Sequence, residues 1–244
     1  MSKIDLSVVL PCYNEAAILE KNVNIIMKVL DKARLSYEII ITEDGSKDGT
    51  DIIAKRLSKE NDKIQFFHFH KRLGRGRAVA NGFKKARGEV VGFIDLDLQT
   101  PPEYIVKCYN EIKKGADGVE PIRYYREEYH FFFIRLVLSI AYRSLFKRMF
   151  KIKLEDTLAG CKFFKRDKIL PILSKVKDNH WFWDTEIMVI AHYEGLKLKE
   201  IPSVFLNIEY KNRKSKASVI TSTFDLFFDL LELRKRVKRI YRKR

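Results

Sequence analysis

The chain has 244 residues, 46% of them hydrophobic, enough for a full core, and one α/β domain is the natural expectation. Lys and Arg number 48 against 32 Asp and Glu, a formal charge of +16, so an anionic partner is expected: nucleic acid, acidic membrane or phosphorylated substrates. Three separated cysteines, Cys12, Cys108 and Cys161, form no Cys-x-x-Cys, which argues against zinc and a disulfide framework and fits a reducing compartment. His68 and His70 alternate on an expected strand, as a solvated or hydrogen-bonded pair would. Lys3 and Asp5 interrupt the N-terminus, so no signal peptide is expected. The most apolar stretch, Phe131 to Phe150, carries Arg135, Arg143, Lys147 and Arg148 and falls short of the roughly 18 uninterrupted residues of a membrane span.

In chain order the pattern predicts a strand at Leu6–Leu10, a helix at Glu15–Ala33 and a strand at Tyr37–Thr42. A helix at Asp48–Asn61, a strand at Ile64–Phe69, a helix at Gly76–Ala86 and a buried strand ending at Asp95 follow. Repeated β-α-β units imply a doubly wound, mostly parallel sheet whose ligands bind beyond the carboxyl ends of its strands. Pro11-Cys12-Tyr13-Asn14-Glu15, Glu43-Asp44-Gly45-Ser46 and Asp95–Gln99 sit at those ends and are expected to line one crevice. Neither Gly-x-Gly-x-x-Gly after the first strand nor a Walker lysine motif is present. Gly74-Arg75-Gly76 and Gly82 are expected to mark a turn and close packing, with Arg75 and Arg77 in reach of a diphosphate.

Asp95, Asp97 and Gln99 alternate where the apolar strand runs into Thr100-Pro101-Pro102. Residues two apart on an extended chain point the same way, so these oxygens are expected to converge. Such a set suits Mg²⁺ or Mn²⁺ completing its shell with phosphate oxygens, whereas an isolated Asp-x-Asp is often only a turn cap.

The ordered segments Val8–Glu15, Glu43–Thr50, Gly74–Ala78, Asp95–Glu103, Arg123-Tyr124, Asp156–Phe164, Trp183–Glu186 and Ser215-Lys216 together resemble family 2 glycosyltransferases of the GT-A fold. The resemblance is to the polyprenyl-phosphate (dolichyl-phosphate) hexosyltransferases, of the dolichol-phosphate mannose synthase-like kind. It implies a GT-A domain over residues 1–216, with a nucleotide-sugar half to about 125 and an acceptor half over about 126–216. Residues 217–244 are expected to form an amphipathic basic tail. The resemblance further implies that Pro11, Tyr13, Glu15, Glu43 and Asp44 contact the donor's base and ribose, and that Asp95, Asp97 and Gln99 hold the metal. Arg123 and Arg135 are similar to the residues that hold the diphosphate and acceptor phosphate, and Lys216 to a lysine on a loop closing over the donor. The chain departs from the family in having Glu43 in place of the usual Asp and Tyr210 in place of a common arginine.

The implied reaction is inverting hexosyl transfer from a nucleotide sugar, GDP-mannose favoured over UDP-glucose, to a polyprenyl phosphate. A phosphate acceptor, with a second pKa near 6, arrives ionised and needs orienting cations such as Arg123, Arg135 and Arg143 more than a base. A sugar hydroxyl needs a base, for which Asp184 and Glu186 are candidates, unless they instead hold a loop or a neighbouring arginine. Phe131–Phe150 and the Phe224–Leu233 run, followed by eight Lys or Arg in the eleven residues Arg234–Arg244, read as membrane-surface helices at an anionic cytoplasmic face, with a separate membrane protein as a further partner. The rival is a nucleic-acid-binding protein; the acidic crevice and the lack of a nucleic-acid motif argue against it.

Overall fold

The structure is a computed structural model that describes residues 4–124, 133–204 and 219–241. In chain order its elements begin β1 (Leu6–Cys12), α1 (Leu19–Lys32), β2 (Tyr37–Glu43), α2 (Thr50–Glu60), β3 (Ile64–His68), α3 (Arg75–Lys85) and β4 (Val90–Ile94). There follow α4 (Glu103–Lys113), β5 (Gly118–Tyr124), α5 (Phe133–Phe150), β6 (Cys161–Lys165), α6 (Arg166–Ile169), a 3₁₀ turn (Leu170–Lys175), α7 (Trp183–Tyr193), β7 (Leu198–Val204) and α8 (Val219–Tyr241).

The seven strands form one sheet in the order β3-β2-β1-β4-β6-β5-β7. The β3-β2-β1-β4 part is parallel, as the β-α-β pattern predicts. β6 then runs antiparallel to both β4 and β5, and β7 is parallel to β5, so the sheet is mixed and mostly parallel. The chain leaves β1 toward β2 on one side and returns as β4 on the other. Between β1 and β4 lies the switch point where an open α/β sheet leaves a crevice.

Alternate residues of the strands feed two apolar layers. Leu6, Val8 and Leu10 of β1 pack with Leu19, Val23 and Ile26 of α1 and Ile105 and Ile112 of α4. Val9 faces the other layer, with Phe83 of α3, Trp183 and Ile187 of α7, Phe146 and Phe150 of α5, and Leu230, Leu233 and Val237 of α8. Each such side chain contributes about 1.5–3 kcal/mol when fully buried. Part of the apolar surface expected to lie on a membrane is thus core: Phe146, Met149 and Phe150 of α5 and one stripe of α8 are buried in this second layer, where α8 packs on α5 and α7. Among the described residues no helix is long and apolar enough to cross a membrane.

Candidate functional site

A cleft opens at the switch point, lined from the β1 end by Pro11, Tyr13 and Glu15, from the β2 end by Asp44, and from the β4 end by Asp95 and Asp97. Two loops build its first wall by binding each other. Asn14, at φ 53, donates its N–H to Ser46 Oγ at 2.8 Å and accepts from the Lys47 N–H at 2.9 Å. Glu15 N donates to Thr50 Oγ1 at 2.8 Å and Ala16 N to Asp48 Oδ2 at 3.0 Å. The expected helix therefore begins at Leu19 rather than Glu15, because residues 15–18 form a turn that serves this junction. Across the cleft the Arg72 guanidinium lies 4.1 Å from the centre of the Tyr13 ring.

Glu43 and Asp44 part company. Glu43 is fully buried; its Oε2 lies 2.5 Å from His68 Nδ1 on β3, its Oε1 accepts the Ser46 N–H, and it does not line the cleft. Its extra methylene relative to Asp reaches a strand neighbour instead of the crevice. Asp44 lines the cleft, and its two oxygens accept the Leu73 N–H at 2.7 Å and the Gly74 N–H at 2.9 Å.

The strand reading of Asp95–Gln99 needs correction. β4 ends at Ile94, Leu98 takes φ 52, and its N–H returns to Asp95 O at 3.1 Å, so the segment is a turn and period-two alternation stops. Asp95 and Asp97 still both face the cleft, whereas the Gln99 N–H turns back to Asp97 Oδ1 at 3.4 Å. Asp95 also meets a partner that its strand does not supply. Arg75, at the start of α3, donates through Nη2 at 2.6 Å and Nε at 2.9 Å to Asp95 Oδ1, and through Nη1 at 2.8 Å to Asp184 Oδ2 on α7. Burial pushes the Asp95 carboxyl up to about 6; Arg75 opposes the rise, and Asp97 and Asp184 add to it. Burial disfavours the Arg75 charge, but Asp184 and Asp95 outweigh it and hold that guanidinium above its ordinary range.

The glycines of α3 explain how Arg75 gets there. At Gly74, with φ 105, a Cβ would stand 2.2 Å from Asn179 O, and at Gly76 one would stand 2.3 Å from Trp183 Cβ. Residues 179–183 therefore pack directly on the start of α3, bringing Asp184 beneath Arg75 and Trp181 beside it, 5.1 Å from the guanidinium to the ring centre. Glu186 holds its own loop: it accepts the Lys177 N–H at 3.0 Å and the Asp178 N–H at 2.8 Å and pairs with Arg236 of α8. Arg72 and Trp181 are the cleft residues that the sequence does not single out. Of the two roles that the sequence offers Asp184, base or holder of a neighbouring arginine, the pairing with Arg75 is the one seen.

Arg143 Nη2 lies 3.9 Å from Asp156 Oδ2. The side chains of Arg123 and Arg135, and Tyr210, Ser215 and Lys216 altogether, lie outside the described residues. Among those described, no three His, Cys, Asp or Glu side chains gather as a metal cluster. Asp95 and Asp97 are nonetheless a fitting pair for a hard divalent ion that draws its other oxygens from a diphosphate and water.

Residues 7–171 match the family model for "Glycosyl transferase family 2". The chain belongs to that family and is a glycosyltransferase of GT-A-like fold. It is 35% identical to Glycosyltransferase AglD of Haloferax volcanii over 82% of its own length, but spans only 32% of that protein. Over 95% of the chain it is 25% identical to Dolichyl-phosphate beta-glucosyltransferase ALG5D of Trichomonas vaginalis, spanning 73% of it. The fold matches glucosyl-3-phosphoglycerate synthase from Mycobacterium tuberculosis, solved with Mn²⁺, UDP and phosphoglyceric acid, at TM-score 0.71 and 18% identity, covering 95% of this chain and 78% of that one.

Proposed function

We propose that this glycosyltransferase moves a hexose, with inversion, from a nucleotide sugar to a polyprenyl phosphate at the cytoplasmic face of a membrane. The observation that carries the reading is the charge arrangement at the switch point: Asp95 and Asp97 face Pro11, Tyr13 and Asp44 across one cleft, with Arg75 between Asp95 and Asp184. In this reading Pro11, Tyr13, Glu15 and Asp44 form the nucleoside wall, and Lys216 closes over the donor. Asp95 and Asp97 would hold Mg²⁺ or Mn²⁺, which supplies charge stabilisation to the leaving diphosphate when bound. Arg75 stands where it can follow the same developing charge.

A phosphate nucleophile suits the site because the carboxylate best placed to serve as a base is otherwise engaged. Asp184 is 2% exposed and bound to Arg75. An acceptor that arrives ionised needs cations to orient it, the part assigned to Arg123, Arg135 and Arg143. The membrane assignment is supported by the outer side of α8. Phe227 and Phe228 are exposed, and Phe228, Lys235 and Arg239 recur at spacings of seven and four along one stripe opposite Leu230, Leu233 and Val237.

Mannose from GDP-mannose is the donor that the Asp95–Glu103 segment favours. Glucose from UDP-glucose is the second reading, supported by the similarity to ALG5D across nearly the whole chain. The test is transfer of labelled hexose from each donor to a polyprenyl phosphate, with Mn²⁺ or with EDTA, followed by organic extraction. EDTA-sensitive label in the organic phase is expected, and the productive donor names the sugar. Label that stays in water on added 3-phosphoglycerate, with none on lipid, would replace the lipid acceptor by a soluble one.

A further inference from the structure

We propose that Lys162 and Glu200 are positioning residues: they hold the Glu155–Gly160 loop against Asp95 and so set where that carboxylate stands. The inference rests on the role given above to Asp95 in holding the donor's metal.

The loop joins two parts of the site. At its end the Asp95 N–H donates to Gly160 O at 2.8 Å, and a Cβ on residue 160 would stand 2.1 Å from Asp95 Oδ2. Only glycine lets the loop and the carboxylate come this close. At its other end Asp156 faces Arg143, while the Thr157 hydroxyl lies 2.9 Å from that of Thr185, itself 2.8 Å from Tyr142 Oη on α5. A shift of this loop therefore moves the donor carboxylate and the acceptor-side helix together.

Two side chains anchor it. Lys162 lies on β6 opposite Phe93 of β4 and is wholly buried; its Nζ donates to Ala159 O at 2.7 Å and sits 3.0 Å from Glu120 Oε2. Glu200, opposite Glu120 on β7, accepts the Glu155 N–H at 2.6 Å and the Asp156 N–H at 2.9 Å through a single oxygen. The wholly buried Lys162–Glu120 pair is costly compared with apolar residues of the same size, Glu200 is only partly buried, and neither Lys162 nor Glu200 lines the cleft. Their contacts instead go to the backbone of a loop that touches Asp95. Outer residues of this kind commonly tune metal affinity by 10–100-fold without touching the metal.

The test is Mn²⁺ binding by the full chain with GDP or UDP present, read by paramagnetic resonance beside thermal unfolding. Asp95→Ala tests the underlying assignment and should abolish binding. Lys162→Met combined with Glu120→Gln removes both partners of the pair, leaving no buried charge alone. Glu200→Met removes the second anchor, and Glu200→Gln keeps an accepting oxygen. The double variant and Glu200→Met should each weaken Mn²⁺ binding about 10-fold while still unfolding cooperatively, with Glu200→Gln close to the parent. Parental affinity in folded Glu200→Met, with binding lost in Asp95→Ala, would overturn the proposal; if the double variant fails to fold, the two Glu200 variants still decide it. Parental affinity in Asp95→Ala would instead remove the metal assignment itself, and this inference with it.

Discussion

The carboxyl ends of β2 and β4 flank β1, and each carries an aspartate into the cleft, yet the two are held by different means. Asp44 accepts two backbone N–H groups from the Leu73-Gly74 turn, so its oxygens are already committed to main chain. Asp95 gives one oxygen to Arg75 and rests the other against Gly160, with a second carboxylate, Asp97, beside it in the cleft. A backbone bond of the first kind shapes a loop. An ion pair of the second kind, partly open to solvent, leaves a carboxylate that an incoming cation can take over. On the proposed reading, the contrast separates a donor-wall carboxylate fixed by main chain from the one that would take the metal.

The largest expected effect breaks the comparison at its chemical end. Asp95→Ala should lower the transfer rate about 10³-fold, with the unfolding midpoint little changed, as measured by initial rates and urea titration. Next is Arg75→Met, which strands Asp184 without its cation; a loss of about 3 kcal/mol in urea unfolding is expected, and Arg75→Met with Asp184→Asn should recover part of it. Asp44→Ala should cost about 2 kcal/mol, because two N–H groups lose their acceptor. If Asp44→Ala were as stable as the parent and as inactive as Asp95→Ala, the distinction would fail.

A pH series extends the comparison to the buried carboxyl paired with Lys162. Burial pushes the Glu120 carboxyl up to about 8, against the pull of Lys162 and with Glu200 and Asp156 adding to the rise. The folded protein then keeps a proton that the unfolded chain has already released, so this group's contribution to stability is greatest at acid pH and is lost as pH rises toward 8. Relative to Glu120→Gln, the parent should lose about 1 kcal/mol between pH 7 and pH 8 in urea midpoints measured across that range. A difference independent of pH would show that Glu120 is ionised throughout.

The crevice was legible because its first elements are local. The apolar runs of β1, β2 and β4 end in polar turns, and β-α-β order alone puts those ends on one edge. Pro11, Tyr13, Asp44, Asp95 and Asp97 reach the cleft for that reason. The alternation through Asp95, Asp97 and Gln99 does not hold, because Leu98 turns the chain and the backbone is no longer extended beyond the last ladder bond. Glu43 likewise took a neighbour on β3 that only strand pairing supplies.

By itself the sequence determined the parallel half of the sheet, the crevice at its switch point and the carboxylates that face it, since hydrophobic period and turn residues act over a few positions. Tertiary structure alone decided that β6 enters antiparallel and brings Gly160 against Asp95, and that α7 sets Asp184 under an arginine 109 residues earlier in the chain. Such contacts depend on the whole chain having packed. A charge in the sequence carries no mark of the partner that will neutralise it until burial removes water as the alternative.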